Sequence, residues 1–342
     1  MQNLHLNIKI IFINKFLMEF ILRILAILSL PLLLNACGGG GGGGSASSPV
    51  PINFTETMSA TRGLVSTYRD NGAGSNPDTY ADEIGFESEL LYGGFNWSQN
   101  ASTDGFSVKS DTLYSELDLN ASLTTAHIVS GPTTSSANNT LTSTNYVYGY
   151  YDSSISANVR VTVAIPSSYP NQTWVYWDNT NYKGASDNTS INFAVTGKPL
   201  AYASLPSSGT ATYTGGMEGY FSSTSSKYNS YNGYLLGTSN FSVNWANETI
   251  SGSFTNITET VGGSTYSFNN LTMPSTSIGS SSYGSYGSFE GDLQGTGFTT
   301  SIYTAIHGTF FGTNADSIGG VWDIQNNGAT GSGAGYFAAK KN

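Results

Sequence analysis

From about residue 53 onward, apolar and polar side chains alternate in short runs that end in Gly, Asn, Ser or Thr, and helical spacing is nearly absent. "GFNWSQ", "GFSVKS" and "TLYSELDLNASL" show this alternation early. "TNYVYGYY" and "NVRVTVAI" show it more strongly, with Tyr146, Tyr148 and Tyr150 sharing a face of one strand and Val159, Val161 and Val163 a face of the next. The tract 130–144, "SGPTTSSANNTLTST", predicts an exposed loop. A second series begins near Leu205 and predicts strands at about 205–221, 234–246, 249–256, 265–273, 286–295, 302–312, 318–326 and 332–340. Eight antiparallel strands suit a closed barrel, and closure removes the edges that would otherwise pair with another chain. The expected fold is therefore all-β, an N-terminal β-sheet domain followed by an eight-stranded antiparallel β-barrel. "GSF" at Gly252 and Gly287 and "GTF" at Gly308 mark bends where a small barrel turns its corners.

The stretch "IHGTFFGTNADSIGGVW", Ile306 to Trp322, reads as a hairpin. Ile306, Gly308 and Phe310 fall on one face, His307, Thr309 and Phe311 on the other, and turn formers precede a returning strand. A phosphate cradle needs its glycines at a strand end that opens into a helix, and no helical run follows Gly320.

The start of the chain has a different pattern. Lys9, Lys15 and Arg23 precede an apolar stretch from Ile24 to Leu34, too short to span a bilayer comfortably, which gives a secretory signal over residues 1–36. Met18 offers an alternative start, because "MEFILRILAILSLPLLLNAC" is a complete signal by itself. Its end, Leu34, Asn35 and Ala36 before Cys37, resembles the lipobox of bacterial lipoproteins, which makes Cys37, the chain's single cysteine, the expected lipid anchor and links the protein to a membrane. Seven glycines, Gly38 to Gly44, then open a tether over 37–52. Polyglycine has no side chains to pack and the most entropy to lose, and about 15 such residues span about 20 Å.

Composition narrows the function. The formal net charge is −10 with only 10% charged residues, so nucleic acid, which needs a positive face, is excluded as a partner. Beyond the signal lie two isolated histidines, His127 and His307, with no histidine pair at metal-ligand spacing; no metal ligands are identified. No G-x-S-x-G elbow occurs and the single thiol is expected to be acylated, so the chain reads as a non-enzyme. Asp82, Glu83, Glu87 and Glu89 read as a solvated strand edge, and "DNGAGSNPD" as a turn without calcium-loop spacing. Aromatic residues are the richest candidates. Tyr146, Tyr148 and Tyr150, with Trp174 and Trp177 of "TWVYWD", offer large rigid contacts for a partner, although packing between sheet and barrel is their simpler use.

Three segments carry a family resemblance: "LPSSGTATYTG", "HGTFFGTNADSIGGVW" and "GYFAAKK" resemble the C-terminal barrel of transferrin-binding protein B-like surface lipoproteins, which include factor H-binding, heparin-binding and haem-binding members. Thr313 stands where that pattern has proline and Ser317 where a second acid is frequent, while Asp316 keeps the first. The resemblance implies a handle-like β domain over 53–204 and the barrel over 205–342. It further implies an outer-membrane, lipid-anchored protein at the cell surface that binds a host protein or an iron source, transferrin-like protein or haem, and that meets an outer-membrane translocator and a transporter. No cofactor is certain; haem is the one the resemblance allows, with His127 as the residue to ligate it. The alternative is a lipoprotein of immune evasion or adhesion that binds a host regulator and no small ligand.

Overall fold

A computed structural model of the chain describes residues 52, 54, 57–70, 86–110, 120–136, 141–152, 157–180, 189–222, 233–261, 264–280, 285–295, 302–326 and 332–342. The signal, Cys37, the glycine tether, Asp82 and Glu83 lie outside them, as do the side chains of Glu87 and Glu89.

The first sheet has nine strands: β1 (Met58–Asp70), β2 (Phe86–Asn100), β3 (Gly105–Ser110), β4 (Asn120–Leu123), β5 (Ile128–Ser136), β6 (Thr142–Asp152), β7 (Ala157–Pro166), β8 (Gln172–Thr180) and β9 (Thr189–Gly197). Their order is β4-β3-β2-β1-β9-β8-β7-β6-β5, antiparallel throughout. Five strands separate β3 from β6, yet the rings of Phe106 and Tyr148 meet edge to face with centroids 4.8 Å apart, so the sheet curls over its own concave core. The 130–144 tract is not simply a loop: "IVSGPTTSS" forms β5, which pairs only with β6. Most of its described side chains face water, so this edge strand lacks the apolar alternation that would have announced it.

The second sheet contains β10 (Thr210–Ser222), β11 (Gly233–Asn244), β12 (Thr249–Val261), β13 (Ser264–Ser267), β14 (Leu271–Ser280), β15 (Gly287–Asp292), β16 (Gln294–Gly295), β17 (Ile302–Phe311), β18 (Ser317–Asn326) and β19 (Ser332–Lys341). Pairing of β12 with β14 closes β10, β11, β12, β14, β15, β17, β18 and β19 into an eight-stranded antiparallel barrel. Among the described residues there is no α-helix, and the all-β expectation of an N-terminal sheet followed by a closed eight-stranded antiparallel barrel holds. The strand expected at 265–273 is broken. Ser264–Ser267 are all exposed and pair only with the end of β12, then Phe268 turns into the core and donates its amide to the Ile257 carbonyl (2.8 Å), and the ring resumes at Leu271.

The barrel interior is filled by rings laid over glycines. Phe241 faces Gly252, Phe289 faces Gly308, Phe337 faces Gly320 and Trp322 faces Gly335 across neighbouring strands, and a Cβ on any of these glycines would overlap the facing ring. Each pair is cross-strand on one face, so the ring shields the backbone that glycine leaves bare while the missing side chain gives the ring its place. Gly335→Ala is expected to cost roughly 1–3 kcal/mol, since its methyl would meet both Trp322 and the backbone of β10. Gly279→Ala, with nothing within 4 Å of the added atom, should change stability by less than about 0.5 kcal/mol. Denaturant midpoints of the two variants check this contrast.

Candidate functional site

One flank of the barrel, β18 and β19, is buried on both faces. Alternation sends Ile318, Trp322, Ile324, Phe337 and Ala339 inward, and sends Val321, Ala334, Tyr336 and Ala338 outward against Leu64, Trp174, Phe193 and Val195 of the curled sheet. Trp174 packs on Tyr336 at 5.1 Å and Phe193 stacks near Tyr220 at 6.2 Å. Buried Gln172 bridges the two sheets. Its Nε2 donates to Ser317 Oγ (3.0 Å) and to the Ile318 carbonyl (3.2 Å), and its Oε1 accepts from Trp174 Nε1 (3.0 Å).

Polar groups on each side flank the same seam. Tyr336 donates its hydroxyl to Glu218 Oε2 (2.7 Å), and on the sheet side Asn145 Nδ2 donates to the Tyr176 hydroxyl (2.9 Å) while Ser143 Oγ donates to Asn145 Oδ1 (2.7 Å). Burial pushes the Glu218 carboxyl up to about 7, with the Tyr336 hydrogen bond opposing. Burial and the neighbouring Glu218 raise the tyrosines at 176 and 336 above their ordinary range. On the next part of the wall, His307 Nε2 lies 3.2 Å from Glu290 Oε1, the histidine almost covered and the glutamate 68% exposed. Burial lowers that histidine's pKa and Glu290 partly offsets the effect.

The aromatic candidates divide differently from their spacing in a single loop or strand. Tyr146, Tyr148 and Tyr150 stand opposite Val163, Val161 and Val159 and belong to, or pack against, the concave core, with Tyr148 fully buried. Trp174 and Trp177 are three residues apart, so they point to opposite faces of β8, Trp174 into the seam and Trp177 into the concave core, where it stacks on Phe95 at 5.7 Å. Both are buried, so the five rings form no common platform. His127 closes a short 3-10 turn between β4 and β5, its Nδ1 accepting from the Thr124 amide (3.1 Å), and its ring is partly exposed. Among the described residues, the large apolar side chains at the surface are instead Val129, Tyr151 and Tyr266. No group of three or more metal-ligating side chains converges among the described residues.

The residues that sequence reasoning missed are Gln172, Glu218 and Tyr336. In "GGMEGYF", alternation with Met217 and Phe221 places Glu218 on the outer wall, but nothing local says that this wall is covered. A hollow of about 380 Å³ on the far side of the barrel, lined in part by Thr212, Thr214, Asn240, Ser242 and Ser251, presents hydroxyls and amides.

Residues 205–341 match the family of C-lobe and N-lobe beta barrels of Tf-binding protein B. Comparison with curated proteins gives no match. Among solved structures, intact Ap-TbpB with its N and C lobes is similar at 12% identity over 86% of this chain and 79% of that one, with a TM-score of 0.39. The isotype 1 transferrin binding protein B of serogroup B Neisseria meningitidis is similar at 15% identity over 82% of this chain and 43% of its own, with a TM-score of 0.41. A surface lipoprotein is similar at 15% identity over 82% of this chain and 98% of its own, with a TM-score of 0.34.

Burial separates packing from binding residues in a measurable way. Trp174→Ala and Trp177→Ala should each lose roughly 3–5 kcal/mol of stability. His127→Ala, at a partly exposed turn, should stay within about 0.5 kcal/mol of the parent. Urea unfolding of the three variants checks the division.

Proposed function

We propose, from the match of residues 205–341 to the barrels of transferrin-binding protein B, that the protein is a surface lipoprotein that binds a host protein, anchored at the outer membrane through acylated Cys37. The family match carries this reading. The lipobox-like "LLNAC" and the glycine tether support it from the sequence, and a handle-like domain over 53–204 with a barrel over 205–342 is its domain plan.

Topology supports a display role. Within the barrel, Ser222, Gly233, Asn326 and Ser332 lie at one end, and the turns 245–248 and 312–316 close the other. Gln172 at the start of β8 meets Ser317 at the start of β18, while Phe193 in mid-β9 meets Tyr220 near the end of β10. The strand ends at Asp70, Thr180 and Thr189 therefore point the same way as Ser222 and Asn326. Connections carried by a firm scaffold are where binding residues concentrate.

A protein ligand is the better fit than haem. Tyr148, Trp174 and Trp177 are enclosed, which leaves those rings no free face for a porphyrin. A chain with only 10% charged residues and rich in Ser, Thr, Asn and Tyr adapts to a protein partner at modest desolvation cost. Export by an outer-membrane translocator, and hand-over to a transporter where iron is the cargo, complete the proposal.

Intact cells should lose the protein to added protease, metabolic palmitate should label the wild type and not Cys37→Ser, and the purified protein should retain transferrin or another serum protein on a sensor surface. Recovery of an unacylated protein from the periplasm would refute the surface assignment. A Soret shift on haemin titration that His127→Ala removes would replace the protein ligand with haem.

A further inference from the structure

The barrel end that holds Ser222, Gly233, Asn326 and Ser332 also holds a carboxyl inside the lumen. Glu259 lies two residues short of the end of β12, shares the inward face with Ile257 and is only 1% exposed. It stands opposite Leu235, and its side chain runs on toward the strand ends, where a Cβ on Gly233, the first residue of β11, would overlap the carboxyl group. The glycine therefore makes the room that this carboxyl occupies. Phe221 is paired with Gly233 and meets Phe268 edge to face at 5.0 Å, so aromatic rings line the same end of the lumen. Tyr266 of β13 stands directly opposite Glu259, hence on the same face, and is 43% exposed. One side chain separates the buried carboxyl from solvent.

Among the described residues, Glu259 Oε1 is buried without a hydrogen-bond partner. The described basic side chains of the barrel stand elsewhere. Lys340 and Lys341 lie at the opposite end, beside Ser317 and Tyr213, with Lys341 Nζ donating to the Asn314 carbonyl (3.2 Å), and His307 pairs with Glu290 on the outer wall. A buried carboxyl costs free energy unless it holds a proton or meets a cation. We propose that this end of the barrel receives the guanidinium or ammonium group of a basic side chain from a protein partner, with the Glu259 carboxylate as its counter-charge and the Tyr266 ring lining its approach. The proposal rests on the reading that the chain binds a host protein, and it gives that partner a chemical feature, an exposed arginine or lysine.

A basic side chain suits the place at both of its ends. Its methylene stem matches the apolar surface of Leu235, Phe221 and Phe268, and its charged head is attracted both by the carboxylate and by the faces of aromatic rings. Burial raises the Glu259 carboxyl from its ordinary 4.5 to about 7, and a cation brought against it favours the anion again. A metal ion fits less well, because it needs several oxygen or nitrogen ligands and no group of three such residues converges among the described ones. An anionic guest would add like charge, and an apolar one would leave the carboxyl unanswered. At longer range, 22 acidic against 12 basic residues draw a positively charged surface toward the chain.

The test uses the full chain carrying Cys37→Ser, with leucine and isoleucine methyl groups labelled for NMR. The probe is acetyl-arginine methylamide, and acetyl-citrulline methylamide is its uncharged counterpart. The arginine probe should shift the Leu235 and Ile257 methyl resonances saturably, and the citrulline probe should bind at least about ten-fold more weakly. Glu259→Gln should remove that difference, and Tyr266→Ala, at an exposed position, should weaken the arginine probe about two- to five-fold. No saturable shift, an equal response to both probes, or arginine binding unchanged by Glu259→Gln overturns the site. Should Glu259→Gln fail to fold, an unchanged affinity in Tyr266→Ala overturns it equally. Retention of a serum protein on the sensor surface separates the two readings. Retention without a probe response overturns the site and leaves the host-protein reading standing, whereas a probe response without retention does the reverse.

Discussion

The structure depends on one wall that must satisfy two cores at once. A barrel of eight strands needs large side chains inside, and β18 and β19 must in addition lie flat enough outside for a second sheet to settle on them. The sequence answers with small outward residues. Ala334 and Ala338 leave room for Trp174 and Phe193, and at Gly319 an added Cβ would press on the Gln172 side chain and on Val195. Inward, glycines yield to rings for the same reason of space. "IGGVWDIQ" and "GAGYFAAKK" are thus rich in Gly and Ala because both of their faces are in contact.

Such a seam has few ways to accommodate polar atoms. Gln172 is acceptable there because its amide donates twice and accepts once, so little of its hydrogen-bonding capacity is lost. Glu218 is different in kind. It accepts from Tyr336 on the neighbouring barrel strand, a hydrogen bond made within the barrel and not across the seam. The seam therefore contains one polar group that ties the two sheets together and another that is satisfied on the barrel side.

Much of the architecture was legible because alternation is a local property. The hairpin Ile302–Phe311 and Ser317–Asn326 followed from facing residues and turn formers, and seven of the eight predicted barrel segments match single strands or the strand with a short extension. What failed was what locality cannot see. Edge strand β5 has water on both sides of most residues, so its pattern is polar throughout, and Ser264–Ser267 left the ring for the same reason. The spacing of Trp174 and Trp177 did contain the answer, because an odd separation in a strand means opposite faces, and grouping them as one surface overlooked it. Glu218 was legible as outward-facing and illegible as covered, since the covering residues lie some forty positions earlier or more than a hundred later in the chain.

The doubly buried wall also constrains what binding can be. If the curled sheet and the barrel shared only a flexible linker, each would present its connections independently, and a partner spanning both would have to order them at its own expense. Here the linker itself is pinned. Leu200 donates its amide to the Phe310 carbonyl (2.7 Å) and accepts from the Gly287 amide (3.0 Å), and Pro199 and Ala201 bridge to Phe311 and Tyr286. Contact between the two sheets fixes the spacing of the strands that each contributes. Affinity for a partner that spanned both would then rest on geometry established during folding.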